Sequence, residues 1–297
     1  MIRPGSSPSL AMGVYTVANT NTVERTYPTW YSFIRDASGE NNLNPSLRSS
    51  RNVDDGRNPW HGTNTWQEAL DLANRGWPEG LRRILANVHI IERFIGRKAP
   101  RLELVHSIQG PGILDMARYA QGRPDSWVVW EDVDERESPS TRIVSIILNT
   151  AASAGVSPDT IFQRGAAVCA LVDILEHSKI RTNITLVEVG KYDNVWGRGS
   201  NTPPSSTFKV TLKRAEDVLD RDRLAFALCN ASVPRRLMFS LLEQYVPGLP
   251  AGYGAPSTYQ EEGAIVIDSA SLYIHNEKDM VPWLVKQLAG FGIGVEA

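Results

Sequence analysis

Cysteine is nearly missing from this chain, with only Cys169 and Cys229 among 297 residues. Both lie inside apolar helical patterns, which reads them as small buried hydrophobes rather than as a disulfide or metal site. Nothing in the composition therefore demands an oxidising compartment. Long apolar runs are missing too, and none approaches the roughly 18 residues of a membrane span. The opening stretch Met1 to Leu10 is rich in Pro, Ser and Gly and lacks the apolar centre of a signal peptide. Neither sign of charge prevails: 31 Lys and Arg stand against 33 Asp and Glu, a formal net charge of −2. Such a balance leaves no electrostatic footprint for wholesale nucleic-acid binding. The expectation is a soluble protein of the cytoplasm with no membrane partner and no evident nucleic-acid partner.

The motifs of common chemistries are absent as well. There is no G-x-x-x-x-G-K-[ST] phosphate loop and no G-x-G-x-x-G after a strand. G-x-S-x-G is missing, so a nucleophile elbow has no support. The five histidines, His61, His89, His106, His177 and His275, are scattered, without the H-E-x-x-H spacing of a zinc helix. No catalytic residue and no cofactor is expected.

What is present is enough apolar material, 42% of residues, for two small domains or one large one. Residues 1–63 carry little regular pattern and read as an irregular N-terminal arm, apart from a short helix candidate around Tyr27 to Ala37. Residues 64–140 read as a small mixed region. Thr65 and Glu68 have capping-box spacing before Ala69, Leu70, Leu72 and Ala73, and Gly76 closes that helix. Weak strands are expected at Leu102 to Val105 and Trp127 to Trp130, with a short helix from Ile113 to Tyr119. The acidic run Glu131 to Glu137 and Ser138-Pro139 then break the pattern.

From Thr141 to the end the rhythm is clearer. Arg142 to Leu148 is a β-branched run suited to a strand buried on both faces. Helix follows at Asp159 to Ser178, strands at Arg181 to Val189 and Thr207 to Leu212, and helix at Asp220 to Tyr245, interrupted by Pro234. A strand at Ala264 to Ile267 and a helix at Asp279 to Gly290 close the chain. This alternation predicts an α/β fold with an open, mostly parallel sheet and helices on both faces over residues 141–297. The basic residues Arg214, Arg221, Arg223, Arg235 and Arg236 alternate with acids and read as a salt-bridged surface.

In such a sheet, ligands bind at the carboxyl ends of strands. The first strand of this half ends in Asn149-Thr150-Ala151-Ala152-Ser153, which resembles the metal loop of von Willebrand factor A-like domains, Asp-x-Ser-x-Ser. Asn149 stands for the Asp, Ala151 for the first Ser, and only Ser153 matches. The resemblance implies a degenerate metal site of Asn149 and Ser153, which Asp268 at the end of a later strand partly completes. Magnesium prefers charged oxygen ligands, so an amide and a methyl in their place leave such a site without a cation. A second resemblance rests on E-A-L-D-L-A-N-R-G-W-P-E-G within Trp66 to Gly80, R-G-A-A-V-C-A-L-V-D-I-L-E at Arg164 to Glu176, D-R-D-R-L-A-F-A-L at Asp220 to Leu228, and the closing W-L-V-K-Q-L-A-G-F-G-I. These segments are similar to an uncharacterised family encoded mainly by bacteriophages and prophages.

The missing catalytic constellation, the eroded metal loop, the irregular arm and the phage-like resemblance together point to a non-enzymatic, phage-type binding or assembly protein. It would act through protein–protein contacts, with itself or with other phage structural proteins, in the host cytoplasm or the virion. The alternative is a metal-dependent nucleic-acid-handling enzyme or accessory factor of phage replication, using carboxylates such as Asp268 and Glu188. A third reading, a host-directed regulator, would use the acidic run.

Overall fold

The run Ile143–Asn149 organises the molecule because its side chains have apolar neighbours on both sides of the sheet: Ile146, Ile147 and Leu148 are all buried. A computed structural model describes residues 22–39, 47–54, 60–94, 102–108, 112–132, 142–191, 205–247, 249, 252–268, 274 and 277–291. In chain order the elements are β1 (Thr22–Tyr27), α1 (Trp30–Ala37), a 3-10 turn (Ser49–Arg51), α2 (Trp66–Arg75), α3 (Pro78–Phe94), β2 (Leu102–Ser107), β3 (Ile113–Leu114), α4 (Met116–Ala120) and β4 (Trp127–Asp132). They continue with β5 (Ile143–Asn149), α5 (Pro158–His177), β6 (Arg181–Lys191), β7 (Ser205–Lys213), α6 (Arg221–Cys229), a π-helical segment (Val233–Met238), α7 (Phe239–Tyr245), β8 (Ala264–Ile267) and α8 (Glu277–Ala289). None of the helices among the described residues is long and apolar enough to cross a membrane.

Five strands form the main sheet in the order β1-β7-β6-β5-β8. β5 pairs in parallel with β6 and β8, and β1 in parallel with β7; only β6 and β7 run antiparallel. The fold is thus α/β with a mostly parallel sheet. α1 lies within the expected helix candidate Tyr27 to Ala37; β1 falls in the stretch expected to be an irregular arm and is instead a strand paired with β7 of the later half. The pattern at Thr22–Tyr27 is easily overlooked because charged Glu24 and Arg25 suit an edge strand, and its parallel partner lies far along the chain. The expected helix at Ile113 to Tyr119 is also shorter. Ile113–Leu114 pairs with β4, and Asp115 then caps α4 through the N–H groups of Ala117 and Arg118.

Helices gather on one face. Ile146 and Leu148 of β5, Ile184 and Leu186 of β6, Phe208 and Val210 of β7 and Ile267 of β8 share one core with buried residues of the helices. Alternate residues, Ile147, Val187 and Val189, form a separate small cluster against Tyr259, Ala264 and Val266. Helices on both faces were expected; among the described residues they cover one, and the other carries polar Thr185, Lys209 and Thr211 on β6 and β7. α5 lies at the centre of the helical layer and is buried nearly all round. Pro158 opens it, and the Ser157 hydroxyl accepts from Thr160 N–H, the usual N-terminal cap. Gly165 lets α6 approach it, since a Cβ there would lie 2.1 Å from the Leu228 carbonyl oxygen.

β2, β4 and β3 make a second, antiparallel three-stranded sheet. None of its described side chains belongs to the core clusters.

Candidate functional site

The order β7-β6-β5-β8 has a physical consequence. The chain steps outward from β5 to β6 and β7, then returns to lay β8 on the other side of β5. The carboxyl ends of β5 and β8 therefore flank the point where connections diverge, the usual ligand position in open α/β sheets. Asn149 ends β5, and Asp268 follows β8 one residue beyond the Leu148–Ile267 register pair.

Asn149 and Asp268 meet there directly. The buried Asn149 Nδ2 donates to Asp268 Oδ1 at 2.7 Å and to the Ser257 carbonyl at 2.7 Å. Asn149 Oδ1 accepts from Ala151 N–H at 3.2 Å. Only the amide nitrogen can satisfy a carboxylate and a carbonyl together. Asp268 Oδ2 also accepts from Tyr259 N–H at 3.3 Å. The segment around Ser257 and Tyr259 thus lies over the strand ends, helped by the bridge between Gly190 and Pro256. Ser153 does not complete a triad with these two. It is exposed, and its carbonyl accepts from Arg235 and from Val156 N–H.

Two further buried groups stand behind this pair. Arg164, from the second turn of α5, is 6% exposed, and the charges that act on its guanidinium are Glu188 and Asp268, which oppose the downward push of burial. Glu188 on β6 is 1% exposed. Burial pushes its carboxyl up to about 8, against the opposing pulls of Thr150 and Arg164. The Thr150 hydroxyl lies 2.6 Å from Glu188 Oε2 and 3.2 Å from the Val187 carbonyl. The hydroxyl is placed to donate to either oxygen; its bond to Glu188 favours the charged carboxylate, and burial outweighs it.

A third contribution comes from the π-helical segment. Pro234 has no N–H to give, which favours a widened turn here. Arg235 and Arg236 both point inward and are at most 1% exposed. Arg235 Nη1 donates to the Trp60 carbonyl at 2.6 Å, and Nη2 donates to the carbonyls of Val156 and Ser153. Its guanidinium stacks 4.2 Å from the Trp60 ring centre. Burial first, and Arg164 second, lower its affinity for the proton to about 10. Arg236 donates to Thr63 Oγ1 (2.9 Å), the Thr63 carbonyl (2.8 Å), Ser50 O (2.9 Å) and Asn52 O (2.7 Å). This corrects the expectation that both arginines belong to a salt-bridged surface. Arg221 and Arg223 do behave that way, pairing with Asp173 at 2.6 Å and Asp220 at 3.1 Å.

These residues fit a divalent cation poorly. Asp268 faces an amide donor, burial pushes the Glu188 carboxyl towards its neutral form, and Arg164 supplies positive charge beside both. Among the described residues no group of three or more His, Cys, Asp or Glu gathers in one place. The histidines are dispersed as read. His61 Nδ1 meets Asp54 at 2.7 Å inside the molecule, where burial lowers its basicity. His106 Nε2 meets Asp115 at 3.1 Å on the small sheet. His177 lies on α5, the side chain of His89 and all of His275 fall outside the described residues, and so does most of the acidic run. Arg164 was legible as a lone cation in R-G-A-A-V-C-A-L-V-D-I-L, an otherwise apolar helix.

A second depression, of about 440 Å³, opens at the opposite end of the sheet between α1, α2 and the β7–α6 connection. The ionic groups around it are engaged: Lys213 with Glu176 at 2.8 Å, Arg223 with Asp220. The small sheet, by contrast, presents Ile113, Met116 and Tyr119 at 74%, 65% and 62% exposure, with Ile108 at 67%.

One family model, described as Domain of unknown function (DUF7192), matches residues 12–294. No curated protein and no solved structure matches.

Proposed function

The chain belongs to the DUF7192 family, and on that premise we propose that it is a non-enzymatic, phage-type binding or assembly protein acting through protein–protein contacts. In this reading the α/β half is a degenerate von Willebrand factor A-like domain without the metal loop's charges. Its setting is the host cytoplasm during assembly, or the virion itself. One observation carries the reading: Ile113 of β3, Met116 and Tyr119 of the adjoining α4, and Ile108 just after β2 stand in solvent, and the three-stranded sheet gives no described side chain to the core. Exposed apolar groups in such concentration mark contact surfaces. Met116 and Tyr119, three residues apart on α4, share a helix face.

The strand ends support the same view. A ligand arriving at the switch point would have to displace the Asn149–Asp268 bond and the segment over it. The competing reading, a metal-dependent nucleic-acid-handling enzyme or accessory factor, would use Asp268 and Glu188. Both carboxyls already face Arg164.

The test pairs cross-linking and affinity recovery from infected or lysogenic cells with light scattering of the purified chain. The wild type should hold a partner or self-associate, and Met116→Asp with Tyr119→Asp should lose that association while keeping the same circular dichroism. A strictly monomeric wild type with no recovered partner would sink the proposal. Micromolar magnesium or manganese binding by calorimetry, abolished in Asp268→Ala, would favour the enzyme instead.

A further inference from the structure

The two cysteines, 60 positions apart in the chain, meet in the helical layer. Cys169 Sγ on α5 lies 3.9 Å from Cys229 Sγ at the end of α6, and both are free thiols. The approach is built into the backbones. One turn before Cys169, a Cβ on Gly165 would come within 2.1 Å of the Leu228 oxygen and 2.7 Å of Cys229 Cα. Helices this close can bring two cysteine Cα atoms within the roughly 7 Å that a disulfide requires.

The two thiols differ in access. Cys229 is 1% exposed, and burial raises its thiol well above the usual range. Cys169 is half-buried and lines a small apolar groove with Leu81, Ile84, Leu85, Val172 and Leu224. A reagent can therefore reach Cys169 first, with Cys229 behind it. This is the arrangement of an entry thiol and a resolving thiol.

We propose that Cys169 and Cys229 are a redox-convertible dithiol that a small-molecule disulfide closes into a bond between α5 and α6. Cys169 gives up its proton to solvent, and its thiolate attacks one sulfur of R–S–S–R. A mixed disulfide forms, and R–S⁻ leaves and is protonated to R–SH. Cys229 then loses its proton and attacks Cys169 Sγ, expelling the second R–S⁻, which is protonated in turn. Two protein thiols are oxidised and one external disulfide is reduced to two thiols. The closed loop encloses β6 and β7, so the oxidised chain should resist urea more than the reduced one.

Oxidised glutathione is the probe, applied to the folded full-length protein, with alkylation and intact-mass measurement at intervals. The expected product is a monomer lighter by two hydrogens, with no alkylatable thiol, a higher urea midpoint, and full reversal by dithiothreitol. Cys229→Ser should stop at a single glutathione adduct on Cys169, and Cys169→Ser should stay unmodified while folded. The wild type decides the matter whatever the variants' fold. Retention of both thiols under conditions that oxidise the urea-unfolded chain would overturn the proposal. So would a glutathione adduct that never resolves, or a disulfide-linked dimer as the product.

Discussion

The two sheets of this molecule treat apolar and charged groups in opposite ways. In the helical layer over the five-stranded sheet, side chains as polar as Arg235 and Arg236 lie fully inside, each guanidinium held by carbonyl oxygens from distant segments. On the three-stranded sheet and its adjoining α4, even Ile113 and Met116 lie outside. The first region pairs most of its buried polar groups, though Arg235 Nε and Gln163 Oε1 find no partner among the described residues, and it hides its apolar ones. The second leaves apolar area in water, which an association would remove at about 25 cal/mol per Å². The buried core is concentrated on one sheet, and the exposed apolar groups lie at the other.

That contrast can be broken at several strengths. Arg236→Met should be the most damaging, because it leaves acceptors at Ser50, Asn52 and Thr63 buried without a donor. A loss of about 3 kcal/mol or more is expected in urea unfolding. An unchanged midpoint would mean that the buried arginines are incidental. Gly165→Ala should cost about 1–3 kcal/mol, because its methyl would press on the Leu228 carbonyl of α6. Thr65→Ala removes a cap that accepts Glu68 N–H at 3.1 Å and should lower stability by about 1 kcal/mol.

Glu188→Gln sharpens the contrast through pH. The folded carboxyl keeps its proton up to about 8, against an ordinary 4.5. Between those values the folded state binds more protons than the unfolded one. Stability must therefore fall as pH rises through that window and level off above it. The glutamine variant should match the wild type near the acid end of the window and lose this part of the slope; identical pH profiles would show that Glu188 is ionised at neutral pH. Smallest of all, Tyr119→Ser on the small sheet should move the unfolding midpoint by no more than about 0.5 kcal/mol, while weakening association.

Much of the main sheet was legible in the sequence. The R-I-V-S-I-I-L run, the long apolar helix after it and the short A-I-V-I strand are strong local patterns, and each element lies within a few residues of its expected place. β1 was not legible, because a charged edge strand that pairs with a distant neighbour has no local signature. Helices on both faces followed from the general habit of parallel sheets, and the alternation in β7, with Thr207, Lys209 and Thr211 off the core, was the contrary signal. At the strand ends, Asn149 and Asp268 were brought together by the metal-loop resemblance and by their places after β5 and β8, and they do meet; Ser153, expected with them, lies exposed and apart. Arg235 and Arg236 could not be placed, because two adjacent arginines beside acidic neighbours look like surface. Their burial depends on carbonyls of Ser50, Asn52, Trp60 and Thr63, some 180 positions earlier in the chain, which only the tertiary fold brings to them.

The pairing of β1 with β7 also sets a timetable for synthesis. Thr22 and Ser205, whose hydroxyls lie 3.1 Å apart, are separated by 183 positions. At a ribosomal pace of about 5–20 residues per second, the first strand emerges roughly ten to forty seconds before its mate exists. Throughout that wait it is a bare strand edge, and Glu24 and Arg25 give it charges that discourage pairing with another nascent chain.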